Sequence, residues 1–166
     1  MSHNFFALIS RMRYIGRWGL MRNTFQENIQ EHSHMVAVLA HALAVIRRDV
    51  FGGEIDPGQA AVLALYHDAP AILTGDLPTP VKYYNPEIRD AYREVEDVSA
   101  RKLLSMLPEE LRPAYAPVLI QEEDGYHALV KAADKLSAHI KCLEELKAGN
   151  LEFRQAAQQT RQALEE

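Results

Sequence analysis

The sequence predicts an all-α fold organised as a single domain. Apolar residues recur at helical spacing along most of the chain, and no useful length of it alternates apolar and polar residues as a strand does. Capping residues and prolines mark the starts of successive helices. The 166 residues suffice for one sizeable core, and no repeat or flexible linker divides them.

The first two predicted helices are separated by a loop. Residues 4–15 carry apolar side chains at helical spacing, and Gly16 ends this helix. Asn28, followed three residues later by Glu31, forms the pattern of a capping box. The second helix is therefore expected to begin after Asn28 and to run to about Asp49.

The third and fourth predicted helices each begin with a polar cap and a proline, which loses nothing at the first helical position. Asp56 and Pro57 begin the third helix, which is expected to end near Pro70. Asn85 begins the fourth, which ends before Pro108. The apolar stripe of the fourth helix consists of Ile88, Tyr92, Val95 and Leu103.

The residue pattern in the last third of the chain predicts a short helix, a long helix and a terminal helix. The short one lies between Glu109 and Leu119, and Gly149 ends the long one as a left-handed cap. The terminal helix begins near Leu151 and its pattern stops in mid-course at Glu166, which favours a truncated C-terminal helix. The predicted apolar face of the long helix consists of Leu129, Ala133, Leu136, Ile140, Leu143 and Leu146.

Composition excludes several classes of function. The net charge of -5 and the pI near 5.8 disfavour a DNA or RNA polymer as partner, because such binders need clustered Lys and Arg. A single cysteine, Cys142, permits neither an intramolecular disulfide nor a Cys-rich zinc site. No segment has the pattern of a signal peptide or the apolar length of a membrane span, so the expected location is the cytoplasm.

The seven histidines divide into two groups. Five are expected to face solvent or to pack through hydrogen bonds: His3, His34, His41, His127 and His139. His32 differs, because helical offsets place it on the face formed by Val36, Leu39, Leu43 and Ile46. An imidazole that points to the core needs a partner there, which makes His32 a candidate ligand.

Three further residues are candidate metal ligands. His67 lies at the inner end of the third helix, and Asp68 follows it about 100° further round. Asp134 lies beside the apolar face of the long helix, where an unpaired acid is costly. The alternative is that His67 and Asp68 form a solvated helix end and that Asp134 pairs with Lys131 or Lys135. Two imidazoles and two carboxylates suit Mn, Co, Ni, Fe or Zn better than Mg or Ca.

Five segments of this sequence resemble the bacterial 5′-deoxynucleotidases of the HD-domain metal-dependent phosphohydrolase family. They are "RWGLMRN", "ENIQEHS", "ALYHDA", "LTGDLPTPVKY" and "KCLEELKAGN". The resemblance implies one HD-type helical domain over residues 1–166 that removes phosphate from deoxyribonucleoside 5′-monophosphates. It also implies a homodimer that works best with Co, Mn or Cu, with Zn, Ni and Fe as further possible ions.

The resemblance also implies roles for individual residues. The metal ligands would be His32, His67, Asp68 and Asp134, of which all but His67 also border the substrate. Arg17 would orient the phosphate, while the ring of Trp18 would crowd the sugar and disfavour a 2′-hydroxyl. The substrate loop would consist of Asp76, Leu77, Pro78 and Thr79.

Ala71 departs from the pattern that this resemblance implies, which has a glutamate at that position to handle the proton of the nucleophilic water. An engineered substitution made to trap substrate and natural degeneration are both compatible with the sequence. Because a positioned acid-base group contributes about 10² to 10⁴ in rate, we expect impaired turnover with binding retained. Asp76 is the second candidate acid-base group.

Three alternative functions remain open at this point. A non-catalytic nucleotide-binding or sensing protein would keep the pocket and lack the glutamate. A purely structural helical module would pair its inward acids with Lys or Arg. Phosphodiester cleavage is the least favoured, because similar domains that hydrolyse cyclic dinucleotides add further His ligands.

Overall fold

A computed structural model of the protein describes residues 3–166, and over these residues it confirms the all-α class. Two short 3-10 helices, Ser10–Tyr14 and Leu151–Phe153, accompany the α-helices. The β-type pairing in the described residues is an isolated bridge between Gly16 and Asn28. The α-helices are α1 Phe5–Ile9, α2 Ile29–Asp49, α3 Pro57–Tyr66, α4 Ala71–Thr74, α5 Thr79–Lys82, α6 Pro86–Ser105, α7 Arg112–Leu119, α8 Gly125–Lys147 and α9 Arg154–Glu165.

The predicted N-caps are confirmed. The side chains of Asn28, Asp56 and Asn85 each accept a hydrogen bond from a backbone amide in the first turn of α2, α3 and α6. Glu31 answers Asn28 through the side-chain amide, with Oε1 2.6 Å from Nδ2, rather than through the backbone N–H of a standard capping box. Asp124, which the sequence pattern did not single out, caps α8 in the same way.

Two boundaries differ from the prediction. The first helix tightens to 3-10 geometry at Ser10 rather than remaining α-helical to Ile15. The third helix ends at Tyr66, and the chain then forms turns and the two four-residue helices α4 and α5. The prolines at positions 70, 78 and 80 explain these breaks, because proline fixes φ and cannot donate a backbone hydrogen bond.

The core forms where α2 packs on α3 and α8. Fully buried alanines at Ala40 and Ala44 of α2 and at Ala60 and Ala64 of α3 leave room for close approach of the two helices. This close packing brings the end of α3 against α2. The position of α3 matters because the residues that follow it are candidate ligands.

Four side chains predicted to lie on apolar faces are instead exposed: Ile46 by 45%, Ile88 by 37%, Val95 by 50% and Leu143 by 48%. The inward face of α8 continues through Lys141 and Glu145, which are buried although charged. The apolar stripe therefore drifts away from the true inward face along this helix. Within residues 3–166 we find no helix whose length and hydropathy would let it cross a membrane.

Candidate metal centre

The four predicted ligands meet between α2, α3 and α8. His32 lies in the first turn of α2 and is completely buried, which confirms its inward direction. His67 and Asp68 directly follow α3, in the turn that leads to α4. Asp134 lies in the middle of α8. Because α2 packs on both other helices, their separate positions in the chain converge here.

The ligand atoms of His32, His67 and Asp68 are spaced to suit one small cation, and Asp134 contacts both imidazoles of this group. Asp68 Oδ2 lies 3.3 Å from His67 Nε2 and 3.6 Å from His32 Nε2. Asp134 Oδ1 lies 2.7 Å from His32 Nε2 and 3.6 Å from His67 Nε2. In a tetrahedral site with bonds of about 2.1 Å, neighbouring ligand atoms are roughly 3.4 Å apart. The surface pairing of Asp134 with Lys131 or Lys135 does not describe this arrangement.

Two of these atoms are buried without a hydrogen-bond partner: His67 Nε2 and Asp68 Oδ2. Such orphaned atoms are rare in folded proteins, and a metal ion satisfies both. The other nitrogen of each imidazole has its own partner. His67 Nδ1 donates to the carbonyl oxygen of Ala64 at 2.6 Å, and His32 Nδ1 lies 3.2 Å from Ser137 Oγ. Both Nε2 atoms are thereby directed to the ligand centre, as in known metal-binding histidines.

The contacts among the predicted ligands shift the pKa values of Asp134 and His67. Burial would raise the pKa of Asp134, but its hydrogen bond with His32 and the nearby imidazole of His67 hold that pKa well below the ordinary value. Burial would lower the pKa of His67, but the charge of Asp68 and the contact with Asp134 raise it to about 9. The carboxylate of Asp134 is therefore held in its ionised form.

Arg17 and Trp18 lie at the edge of this centre, on the loop before α2. Arg17 Nη1 is 3.9 Å from Asp68 Oδ2, and only 14% of its side chain is exposed. Trp18 has φ 61°, in the left-handed region that bulky residues seldom adopt. Its indole N–H donates to Glu27 Oε2 at 2.8 Å, and its ring packs 5.4 Å from that of Phe153. Strain of this kind is typical of functional sites.

The predicted substrate loop lies beside the same centre. Burial raises the pKa of Asp76 and the nearby charge of Asp68 raises it further, whereas Arg17 and His32 oppose the change. Leu77 and Pro78 are half-buried, and Thr79 is exposed at the start of α5. The loop begins at Gly75, where φ is 75°. Its carbonyl oxygen accepts a hydrogen bond from the Tyr92 hydroxyl at 3.2 Å, which ties the loop to α6.

Ala71 begins α4, three residues after Asp68. Its backbone N–H donates to the Asp68 carbonyl oxygen at 3.0 Å. The side chain is half-buried and offers one methyl group. No proton can be taken up or released at this position.

Sequence patterns missed two groups of residues around the site. Glu27 contacts both the Arg17-Trp18 pair and His32, but no periodicity distinguishes it. Lys141 and Glu145 form a buried ion pair of 2.6 Å that supports the same loop. The available signal was their spacing of four residues, which places Lys141 and Glu145 on the same face of α8.

A surface cavity of about 550 Å³ lies elsewhere, lined by residues that include Gln59, Pro117 and Tyr126. None of the predicted site residues lines it. The four predicted metal ligands lie in the separate cluster between α2, α3 and α8.

A helical bundle in which a histidine, a His-Asp pair and a later aspartate converge is the arrangement of an HD-domain phosphohydrolase. The chain belongs to the YfbR-like family of 5′-deoxynucleotidases, whose family model matches residues 4–166.

Curated relatives agree with this membership. A protein of Erwinia tasmaniensis named 5′-deoxynucleotidase is 54% identical over 152 residues, which cover 90% of this chain and 77% of that protein. A Vibrio cholerae protein of the same name is 54% identical over 155 residues, covering 92% and 80%. The 5′-deoxynucleotidase YfbR of Shigella boydii is 52% identical and covers 90% and 76%.

Solved structures share the fold. An HD-domain phosphohydrolase of Listeria innocua superposes with a TM-score of 0.83 at 24% identity, covering 95% of this chain and 77% of that one. The HD phosphohydrolase DatZ of cyanophage S-2L, solved with dA and one catalytic Zn²⁺, gives a TM-score of 0.60 at 26% identity and covers 82% and 69%.

Proposed function

We propose that this protein hydrolyses deoxyribonucleoside 5′-monophosphates to deoxynucleoside and phosphate at the centre formed by His32, His67, Asp68 and Asp134. As a YfbR-like family member the chain is a 5′-deoxynucleotidase, a hydrolase of phosphoric monoesters. The observation that carries the proposal is the group formed by His32, His67 and Asp68, whose ligand atoms lie within 4.8 Å of one another. Asp134 contacts both imidazoles of this group, and two of the ligand atoms, His67 Nε2 and Asp68 Oδ2, are buried and otherwise unpartnered. We also propose that residues 1–166 form a single HD domain.

A divalent metal ion is the cofactor that fits these residues. Two imidazole nitrogens and two carboxylate oxygens suit Co, Mn or Cu, and they also accept Zn, Ni or Fe. We propose Co, Mn or Cu as the working ions, with Zn supported by the cyanophage neighbour. When bound, such an ion polarises a phosphate oxygen and lowers the pKa of an attached water.

The residues around the centre supply binding and proton transfer. The guanidinium of Arg17 presents planar donors that suit a phosphate. The ring of Trp18, held in a fixed orientation, would crowd a 2′-hydroxyl of the sugar. Asp76, whose pKa is raised by burial, can hold a proton for the departing 5′-oxygen. Leu77, Pro78 and Thr79 would line the same side of the substrate.

We propose that Ala71 lowers the rate of turnover of this enzyme. The turn that carries Ala71 is hydrogen-bonded to Asp68 through the backbone, so the ligand geometry does not require a side chain there. Without a carboxylate to accept the water's proton, turnover is expected to fall by about 10² to 10⁴. Metal and nucleotide binding are expected to remain.

The test introduces a glutamate at position 71 and measures the rate of phosphate release. Protein stripped with chelator and reloaded with Co²⁺ or Mn²⁺ is assayed for phosphate release from dAMP, with and without Ala71→Glu. The substitution should raise the rate by about 10² to 10⁴. Leu73→Glu, which adds an acid at an exposed position of the same short helix, serves as the matched control and should give no gain.

Two outcomes would contradict the proposal. Stoichiometric binding of dAMP without turnover in either form would identify a nucleotide-binding protein instead of an enzyme. Failure to retain any divalent ion after loading would remove the metal centre itself.

The oligomeric state and location remain proposals. We propose a homodimer in the cytoplasm, as the resemblance implies. Large apolar side chains such as Phe51 and Tyr84 are exposed by 79% and 78%, and a dimer would cover part of such surface. Sedimentation equilibrium tests the dimer, and a monomeric mass at micromolar concentration would contradict it.

A further inference from the structure

Glu27 lies between the two halves of the site. Its Oε2 accepts the indole N–H of Trp18 at 2.8 Å and lies 3.6 Å from Arg17 Nε. Its Oε1 lies 3.6 Å from His32 Nδ1, the nitrogen opposite the one that faces the other ligands. The side chain is 12% exposed. One carboxylate therefore contacts both proposed substrate-binding residues and one proposed metal ligand.

The surrounding backbone fixes where this carboxylate lies. The carbonyl oxygen of Glu27 accepts the N–H of Arg17 at 2.8 Å, next to the bridge between Gly16 and Asn28. The loop that carries Arg17 is thus closed on itself directly beside α2. A shift of Glu27 would move the loop and release Trp18 from its strained backbone conformation.

Charge is essential to this arrangement. Arg17 Nε is buried without a hydrogen-bond partner, so the nearby carboxylate of Glu27 is its compensating charge. His32 Nδ1 lies 3.2 Å from Ser137 Oγ and 3.6 Å from Glu27 Oε1, and the anionic charge of Glu27 favours a hydrogen on that nitrogen, which makes Nε2 the better metal ligand.

We infer that Glu27 is a positioning residue that orients His32 toward the metal ion and holds Trp18 against the sugar of the nucleotide. The inference rests on the proposed function, because it assigns a role within the same site. It predicts that one side chain, which touches neither the metal nor the substrate, controls both metal affinity and the preference for deoxyribose.

Two substitutions separate these effects. Glu27→Gln keeps an oxygen that can accept the Trp18 N–H but removes the charge that faces His32 and Arg17. Glu27→Ala removes both the acceptor oxygen and the negative charge. Glu123→Gln, at an exposed position far along the chain, is the matched control. The chain with Ala71 is the appropriate background, since binding is measured without depletion of the nucleotide.

Three quantities are measured for each protein: the dissociation constant for Mn²⁺ by calorimetry, those for dAMP and AMP on the Mn²⁺-loaded protein, and the Tm. Glu27→Gln should weaken Mn²⁺ binding by about 10- to 100-fold, the usual effect of removing a partner of a metal-bound histidine. Its preference for dAMP over AMP should persist. Glu27→Ala should weaken Mn²⁺ binding at least as much and also reduce that preference.

A merely structural role would lower the Tm and weaken dAMP and AMP binding equally, and this result would overturn the inference. So would Mn²⁺ affinities within about threefold of the unaltered chain for both variants. If the unaltered chain binds Mn²⁺ and dAMP normally, such a result leaves the proposed function intact. If the unaltered chain binds neither, the proposed function fails and the inference fails with it.

Discussion

Removal of the buried carboxylate of Glu145 should destabilise the whole loop that carries Arg17 and Trp18. Glu145 is 0% exposed and Lys141 is 3% exposed, with Oε1 and Nζ 2.6 Å apart. The same carboxylate accepts hydrogen bonds from the backbone N–H of Thr24 at 3.1 Å and from its hydroxyl at 2.5 Å. Glu145→Ala therefore leaves a buried ammonium and a backbone amide without their partner.

The expected loss of stability is large. Breaking a buried ion pair by removing one partner costs about 3 to 5 kcal/mol. For a protein of this size each kcal/mol changes the Tm by about 2 to 4 °C, so the Tm should fall by about 6 to 20 °C. Lys141 Nζ also donates to the carbonyl oxygen of Phe25 at 2.7 Å, which limits how far the ammonium can move toward water.

Urea unfolding and calorimetry of the metal-free protein measure this effect. Glu144→Ala, at the exposed neighbouring position, is the control and should change stability by less than about 0.5 kcal/mol. The double variant Lys141→Met with Glu145→Leu removes both charges and should recover part of the loss, because the Thr24 amide and hydroxyl still lack their acceptor. A loss below about 1 kcal/mol for Glu145→Ala would refute the reasoning, because it would mean that the pair is not a buried support.

Four further predictions concern acid stability, metal binding, turnover and backbone strain. Hydrogen bonds from Lys141, Thr24 and Asn150 lower the pKa of Glu145 from 4.5 to about 2, against the opposing effect of burial. The contribution of Glu145 to stability is therefore complete above about pH 4.5 and disappears as the pH falls toward 2. Acid unfolding of Glu145→Gln should lack this pH-dependent loss of stability, and equal unfolding curves for both proteins would contradict the prediction. Asp134→Asn should weaken Mn²⁺ binding by at least about tenfold in calorimetry, and unchanged affinity would exclude Asp134 as a ligand. In the Ala71→Glu background, Asp76→Asn should lower phosphate release from dAMP by about 10² or more, and an unchanged rate would remove Asp76 from the chemistry. Gly75→Ala should cost about 1 to 3 kcal/mol in urea unfolding, since φ 75° and ψ 168° lie in a region that residues other than glycine rarely adopt, and an unchanged midpoint would show that the turn relaxes.

Periodicity predicted the inward direction of His32 near the capped start of α2, although Ile46 near the end of the same helix is exposed. His32 follows Asn28 by four residues in a capped helix, so its direction was fixed by geometry, and it is fully buried. Asp134 was predicted to need a partner, and it has one at 2.7 Å in His32. The contact itself joins residues 102 positions apart, which no local pattern can specify.

Periodicity failed where charged residues occupy the inward face. Apolar spacing selected Leu143 for the core of α8, whereas Lys141 and Glu145 lie there because they neutralise each other and bind the loop. The loop itself has no repeating pattern, so its closure by Glu27 was not predictable from spacing. The amino-acid pattern therefore does not predict the polar contacts between segments that are distant in the chain.

Ala71 lies in a turn whose hydrogen bonds do not depend on the side chain at that position. The turn is fixed by backbone groups: Ala71 N–H donates to the Asp68 carbonyl, and Gly75 N–H donates to the Ala71 carbonyl at 2.7 Å. The Ser99 hydroxyl anchors the preceding Pro70 carbonyl at 2.6 Å. None of these bonds uses the side chain at position 71, and alanine is the best helix former. We therefore expect Ala71→Glu to change the rate far more than the free energy of unfolding. A variant that gained no activity and lost several kcal/mol would show that position 71 supports the fold instead.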